Sequence, residues 1–261
     1  TMTVDDSTRA VGSSYSIGSA SILRTGALGS LNFSAVEDVT LTTGTAGDQV
    51  QQGGVASGTT FRLNTGNGAD LINIGQDLDT NFFNATWILN AGAGTDSLIL
   101  DDNLDALDDT YNITATSLSK SPDPVSISYL LVEDLTLNAS NNNNTINFSN
   151  TSSLQTMRLN GLGGNDTFAN SVLDLNNSVL GTVILAGGAG SDSVSLSDSG
   201  DATAGGYTLT SNSFQVTAGS TSAPINYSTV EAFTAITNNQ PTPINVTSAL
   251  STVAYSLNGA D

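Results

Sequence analysis

Apolar and polar residues alternate along this chain in short bursts. Ser193-Val194-Ser195-Leu196 shows the pattern, with the period of two expected of a half-buried strand. Runs of Val, Ile, Leu, Thr and Tyr are broken by Gly, Asn and Asp, and no stretch keeps a helical apolar period for three turns. The pattern therefore predicts strands and turns with almost no helix.

The bursts recur at a long period. Tyr15, Tyr111 and Tyr207 stand 96 residues apart within segments that align without gaps. Glu37 and Glu133 are also 96 apart, and Glu133 and Glu231 are 98 apart. Leu63, Leu159 and Leu257 head LN(x)G segments at the same 96 and 98. A fixed period of this kind marks stacked architectures, in which each repeat buries its apolar face only against its neighbours. The expected fold is all-β, a parallel β-solenoid resembling a β-helix or β-roll, with about ten coils of about 24–26 residues. Residues 1–261 then form a single continuous solenoid built from 96-residue units, at about 3–98, 99–194 and a shorter 195–261. Handedness is expected to be right, from the general crossover preference. Gly259-Ala260-Asp261 read straight into Thr1-Met2-Thr3-Val4-Asp5-Asp6-Ser7 matches residues 190–199, and neither end has the look of a polar cap. This predicts either head-to-tail stacking of subunits or a window on a longer array.

A shorter period of 26 lies inside the first. The Leu63 segment LNTGNGADLINI recurs at Leu89 as LNAGAGTDSLIL, and the Leu159 segment LNGLGGNDTFAN recurs at Leu185 as LAGGAGSDSVSL. Four Gly-rich turns thus end in Asp70, Asp96, Asp166 and Asp192. Each is a turn whose Asp bonds its own backbone, or else a cation site. Stacked one coil apart, at about 4.8 Å, two such carboxylates repel by about 3–4 kcal/mol, and a bound cation reverses that term.

Residues 187–195, GGAGSDSVS, fit the nonapeptide GGxGxDxUx at every specified position, and TGNGADLIN (65–73), AGAGTDSLI (91–99) and GLGGNDTFA (161–169) each lack one Gly. These segments, 36 of the 261 residues, resemble the haemolysin-type (RTX) calcium-binding repeats, although here they are isolated or 26 apart and not in tandem. The resemblance implies Ca²⁺ bound between stacked turns. Its ligands would be backbone carbonyls at Gly66, Gly68, Gly92, Gly94, Gly161, Gly164, Gly188 and Gly190 and the carboxylates of Asp70, Asp96, Asp166 and Asp192. The longer units resemble repetitive bacterial surface and extracellular proteins.

Charge narrows the choice of partners. Five basic residues against 24 acidic ones leave a net charge of −19, unsuited to nucleic acid or an anionic membrane and well suited to divalent cations. Without Cys or His, disulfides, thiol chemistry and zinc, copper or iron sites are not expected. No apolar run is long enough to insert in a membrane, and the first residues lack the pattern of a signal peptide.

Other recurring residues read as structure. The three tyrosines should pack inside, and Glu37, Glu133 and Glu231 should point outward or hold a turn. Asp5-Asp6, Asp101-Asp102 and Asp198 with Asp201 read as solvated turn residues or as further ligands. The run Asn141-Asn142-Asn143-Asn144 suits a corner where side chains ladder between coils. Sequons such as those at Asn32, Asn84 and Asn112 are expected by chance in a chain this rich in Asn, Ser and Thr. One lysine and four scattered arginines do not supply the clustered basic groups of a polysaccharide lyase, so no catalytic role is expected. The expected function is that of a secreted or cell-surface structural protein of an extracellular filament, sheath or surface layer, assembling with other copies of itself. A calcium-dependent adhesin that binds surface glycans is the alternative.

Overall fold

The computed structural model describes residues 1–26, 29–54, 58–79, 85–122, 125–217, 221–240 and 243–259. Asn84 of one sequon, and Ala260 and Asp261 of the match between the chain ends, lie outside them. The chain sorts into two compact units, one of Thr1–Asp105 with Thr116–Asn138 and the other of Ala106–Ala115 with Ala139–Asp261. The all-β expectation holds, since among the described residues the only helix is the single turn Leu175–Ser178, whose cap Asp174 accepts the Asn177 N–H.

In the first unit the chain passes back and forth between two mostly parallel sheets. One has the order Met2–Asp5, Asp38–Thr42, Thr60–Asn64, Thr86–Asn90, Val125–Leu130, Ser117–Ser121. The other runs Leu31–Asn32, Ser21–Arg24, Ser14–Gly18, Gln49–Gln52, Leu71–Gly75, Ser97–Asp101, Asp134–Asn138. Parallel pairing in register stacks like on like. Val39, Phe61, Trp87 and Ile127 form one buried column, and Leu41, Leu63, Leu89 and Tyr129 the next. The Phe61 and Trp87 rings lie 4.8 Å apart. Alternation makes this register stringent, because a slip of one residue turns every buried side chain outward, at about 1.5–3 kcal/mol each.

The second unit repeats the plan. Thr110–Ile113, Thr145–Phe148, Thr167–Asn170, Ser193–Ser197, Ala232–Ile236 and Ala254–Asn258 follow one another in one sheet. They stack Tyr111, Ile146, Phe168, Val194, Phe233 and Tyr255 in one column. The other sheet of this unit has the order Thr156–Asn160, Thr182–Ala186, Ile225–Ser228, Ser213–Val216, Tyr207–Leu209, Ile244–Val246.

Parallel strands are not spaced along the chain at the uniform 24–26 residues expected. Parallel partners are 22 residues apart (Asp38 and Thr60), 26 apart (Thr60 and Thr86), or between 35 (Ser14 and Gln49) and 42 (Val183 and Ile225). The longest intervals hold antiparallel excursions such as Ser14–Gly18 with Ser21–Arg24 and Tyr207–Leu209 with Ser213–Val216. A second departure concerns the 96-residue period. In the first unit Asp38–Thr42 and its counterpart Asp134–Asn138 lie in opposite sheets, and in the second unit Thr110–Ile113 and Tyr207–Leu209 do the same. Segments one period apart therefore fall in opposite sheets.

Candidate functional site: carboxylate ladders and a buried lysine

Passing from one sheet to the other, the chain turns over six residues, at 43–48, 65–70 and 91–96 in the first unit and at 139–144, 161–166 and 187–192 in the second. Four of them, 65–70, 91–96, 161–166 and 187–192, are the Gly-rich turns. Gly66, Gly68, Gly92, Gly94, Gly164, Gly188 and Gly190 all have positive φ, between 88° and 154°. Glycine is needed for a second reason as well, since a Cβ at Gly94 or Gly190 would run into the backbone carbonyl of Gly68 or Gly164 in the turn beneath. Gly161 differs from the other seven. Leu162, with φ 70°, holds the left-handed position that Gly66, Gly92 and Gly188 occupy in their own turns. Gly161 sits one residue earlier, where a side chain would collide with the Asp166 carboxyl.

The last residue of each turn carries the site's chemistry. In the first unit the Ser13 N–H donates to Asp48 Oδ1 (2.7 Å), the Asp48 N–H to Asp70 Oδ1 (2.7 Å), the Asp70 N–H to Asp96 Oδ1 (2.8 Å) and the Asp96 N–H to Glu133 Oε2 (2.9 Å). The second unit builds the same ladder 96 to 98 residues later. The Asp109 N–H donates to Asn144 Oδ1 (3.2 Å), the Asn144 N–H to Asp166 Oδ1 (2.7 Å), the Asp166 N–H to Asp192 Oδ1 (2.8 Å) and the Asp192 N–H to Glu231 Oε2 (2.7 Å). Each side chain thus accepts the backbone donor that its neighbour would otherwise leave buried and unpaired.

The second carboxyl oxygen is left over. Oδ2 of Asp70, Asp96, Asp166 and Asp192 is buried without a hydrogen-bond partner among the described residues. Burial, to which the Asp70 and Glu133 charges add, pushes the Asp96 carboxyl up to about 6. Burial, with the Asp192 charge adding, pushes Asp166 up to about 7. Burial raises Asp70 and Asp192 as well. Burial makes the charged form of these groups costlier than in water, and a bound cation would offset that cost.

The two ladders therefore fit a cation only in part. The orphan oxygens are donors waiting for a partner, but the carbonyls of Gly66 and Leu162 already accept the Ala93 and Ala189 N–H groups (2.8 and 2.9 Å). Among the described residues, no three acidic side chains of a ladder bring oxygens within 4.8 Å of one another. Asp77, Asp102 and Asp105 do so. There the ammonium of Lys120 contacts both Asp102 Oδ2 (2.8 Å) and Asp105 Oδ2.

The remaining acidic pairs serve the backbone and the tyrosines. Tyr15 donates to Asp6 Oδ2 (2.6 Å) and Tyr207 to Asp198 Oδ2 (2.8 Å), while Asp198 Oδ1 accepts the Leu175 N–H (2.7 Å). Asp102 Oδ1 accepts the Leu78 N–H in the same manner. All three recurrent tyrosines are buried, and Glu133 and Glu231 hold turns. Sequence reasoning missed Asp48 as a rung, whereas Asn144 falls in the asparagine run read as a corner whose side chains ladder. Asp48 and Asn144 stand 96 apart at the ends of TGTAGD and ASNNNN, and that spacing was the available signal.

No protein-family model matches the chain and no curated protein matches it, so the site is read from its own geometry. Among the described residues no helix is long and apolar enough to cross a membrane.

Proposed function

We propose that this chain is a structural protein, a parallel β-solenoid of an extracellular filament, sheath or surface layer, that assembles head to tail and is stabilised by calcium. The observation that carries this reading is the ladder built twice. The ladder carboxylates hydrogen-bond one turn to the next, at equivalent places in both units. Material that must be stiff along a stacking direction needs such bonds at every level.

Free strand edges support the assembly step. Among the described residues Met2–Asp5 pairs only with Asp38–Thr42, and Ala254–Asn258 only with Ala232–Ile236. Their inward side chains Met2, Val4, Tyr255 and Leu257 are half-buried, whereas Val194 and Leu196, at the corresponding positions to Met2 and Val4, are buried. Another copy supplying a further strand would cover them. For calcium, the support is the set of four orphan oxygens, each of which costs about 1–3 kcal/mol while unpaired.

Negative-stain images of the purified chain in millimolar calcium should show rods many times longer than one subunit. A species that remains monomeric in every condition overturns the assembly reading. Binding of that monomer to glycans would instead favour an adhesin.

A further inference from the structure

The sequence has one lysine, and the fold buries it. Lys120 is 4% exposed, and its side chain and that of Asp102 are wholly covered, with Asp105 6% exposed. Surface lysines are ordinarily what keeps a protein soluble, so an isolated lysine placed between carboxylates in the interior calls for a reason. The other repeats do not share the arrangement. Ninety-six residues earlier stands Arg24, partly exposed and paired with Asp6, and ninety-six later stands Val216, fully buried.

We propose that Lys120 and Asp105 are joined by an intramolecular isopeptide bond, formed without a cofactor and assisted by Asp102. The ammonium contacts the Asp105 carboxylate directly, which gives a nucleophile and an acyl group held together at high effective concentration and away from bulk water. Asp102 Oδ2, 2.8 Å from Nζ, takes a proton from the ammonium and returns it to the departing oxygen. A new bond joins Nζ to Cγ of Asp105, and a Cγ–O bond breaks. The ammonium and carboxylate become one amide and one water, the water carrying two protons from nitrogen and one carboxylate oxygen, so no oxidant or activated donor is needed. Two buried charges disappear in the step. Asp77, whose Oδ1 is buried without a hydrogen-bond partner among the described residues, completes the acidic surround and also lines a cleft of about 380 Å³ through which the water can leave. The amide would join Asp105, at the end of one segment of the first unit, to Lys120 in its other segment and close a loop of residues 106–119.

Mass spectrometry of the intact denatured chain tests this. The wild-type protein should be lighter than its sequence by one water, about 18 Da. Trypsin should fail to cut after Lys120, and a branched peptide should connect Lys120 to Asp105. An amine-reactive label added under denaturing conditions should reach only the α-amino group. Lys120→Arg and Asp105→Ala should show the full mass, and Asp102→Asn should leave most chains unlinked. A folded wild-type chain of full mass, with Lys120 open to label after denaturation, overturns the proposal whatever the variants do. A branch to Asp102 in place of Asp105 overturns the assignment of the acyl group.

Discussion

The two units solve one problem with different side chains. In the first, the rung next to Ser13 is Asp48, whose two oxygens accept the Ser13 and Gly44 N–H groups. In the second, that rung is Asn144, whose single carbonyl oxygen accepts the Asp109 N–H while its amide donates to the Ser140 and Asn142 carbonyls. An acid and an amide are interchangeable there, so the position requires an acceptor oxygen and not a charge. The second unit also adds an outer column that the first lacks. The Asn143 N–H donates to Asp108 Oδ1, the Asn165 N–H to Asn143 Oδ1 and the Ser191 N–H to Asn165 Oδ1. The corresponding residues in the first unit are Gly12, Gly47, Ala69 and Thr95. There the backbones lie so close that a Cβ at Gly47 would meet the Ala69 carbonyl. The inner column is obligatory because its donors are buried, whereas the outer one faces solvent and is optional.

The sharpest way to break this comparison is at the inner column. Asp166→Ala leaves the Asn144 N–H without its acceptor and should cost about 2–3 kcal/mol in denaturant unfolding, as Asp70→Ala should through the Asp48 N–H. Asp166→Asn keeps an acceptor and should change stability by less than about 1 kcal/mol without calcium. If the asparagine variant is as damaged as the alanine variant, charge matters and the acceptor reading is wrong.

An intermediate effect is expected from pH. Asp96 and Asp166 are held at about 6 and about 7 in the fold, against an ordinary value of 3.8, so folding takes up protons. The stabilisation this brings is complete below 3.8 and is lost as pH rises through 6 and then 7. In chelator, Tm should therefore fall between about pH 4 and about pH 7. Calcium bound at these carboxylates would favour their ionised form and should raise Tm most at the high-pH end. A Tm that is the same with calcium and with chelator at the high-pH end would remove the metal from the account.

The smallest effect belongs to the outer column. Asn165→Ala removes the acceptor for the exposed Ser191 N–H and should cost under about 1 kcal/mol. A loss as large as that of Asp166→Ala would mean that the second unit depends on both columns, and the contrast between the units would have to be restated.

Strand positions and the Gly-rich turns are legible in the sequence, because a period of two and a positive φ leave local marks in composition. Gly66, Gly92 and Gly188 could be picked out by spacing alone, and their φ angles agree. Gly161 could not be placed correctly, since two glycines flank Leu162 and the motif alone does not say which residue turns left-handed. Lys120 carried no signal, because nothing local distinguishes a buried lysine from a solvated one.

Local chemistry along the chain thus settles where strands run, where they turn and that each turn ends on an oxygen acceptor, for these depend on residues a few positions apart. Which turns stack, and that segments 96 residues apart fall in opposite sheets, depend on the length of the antiparallel excursions and on what they pack against. The partners of Asp105 and Lys120, and the spare oxygens of Asp70, Asp96, Asp166 and Asp192, follow from that packing. Burial is a property of the assembled sheets, and it alone turns ordinary carboxylates and an ordinary amine into groups that must find a proton, a cation or each other.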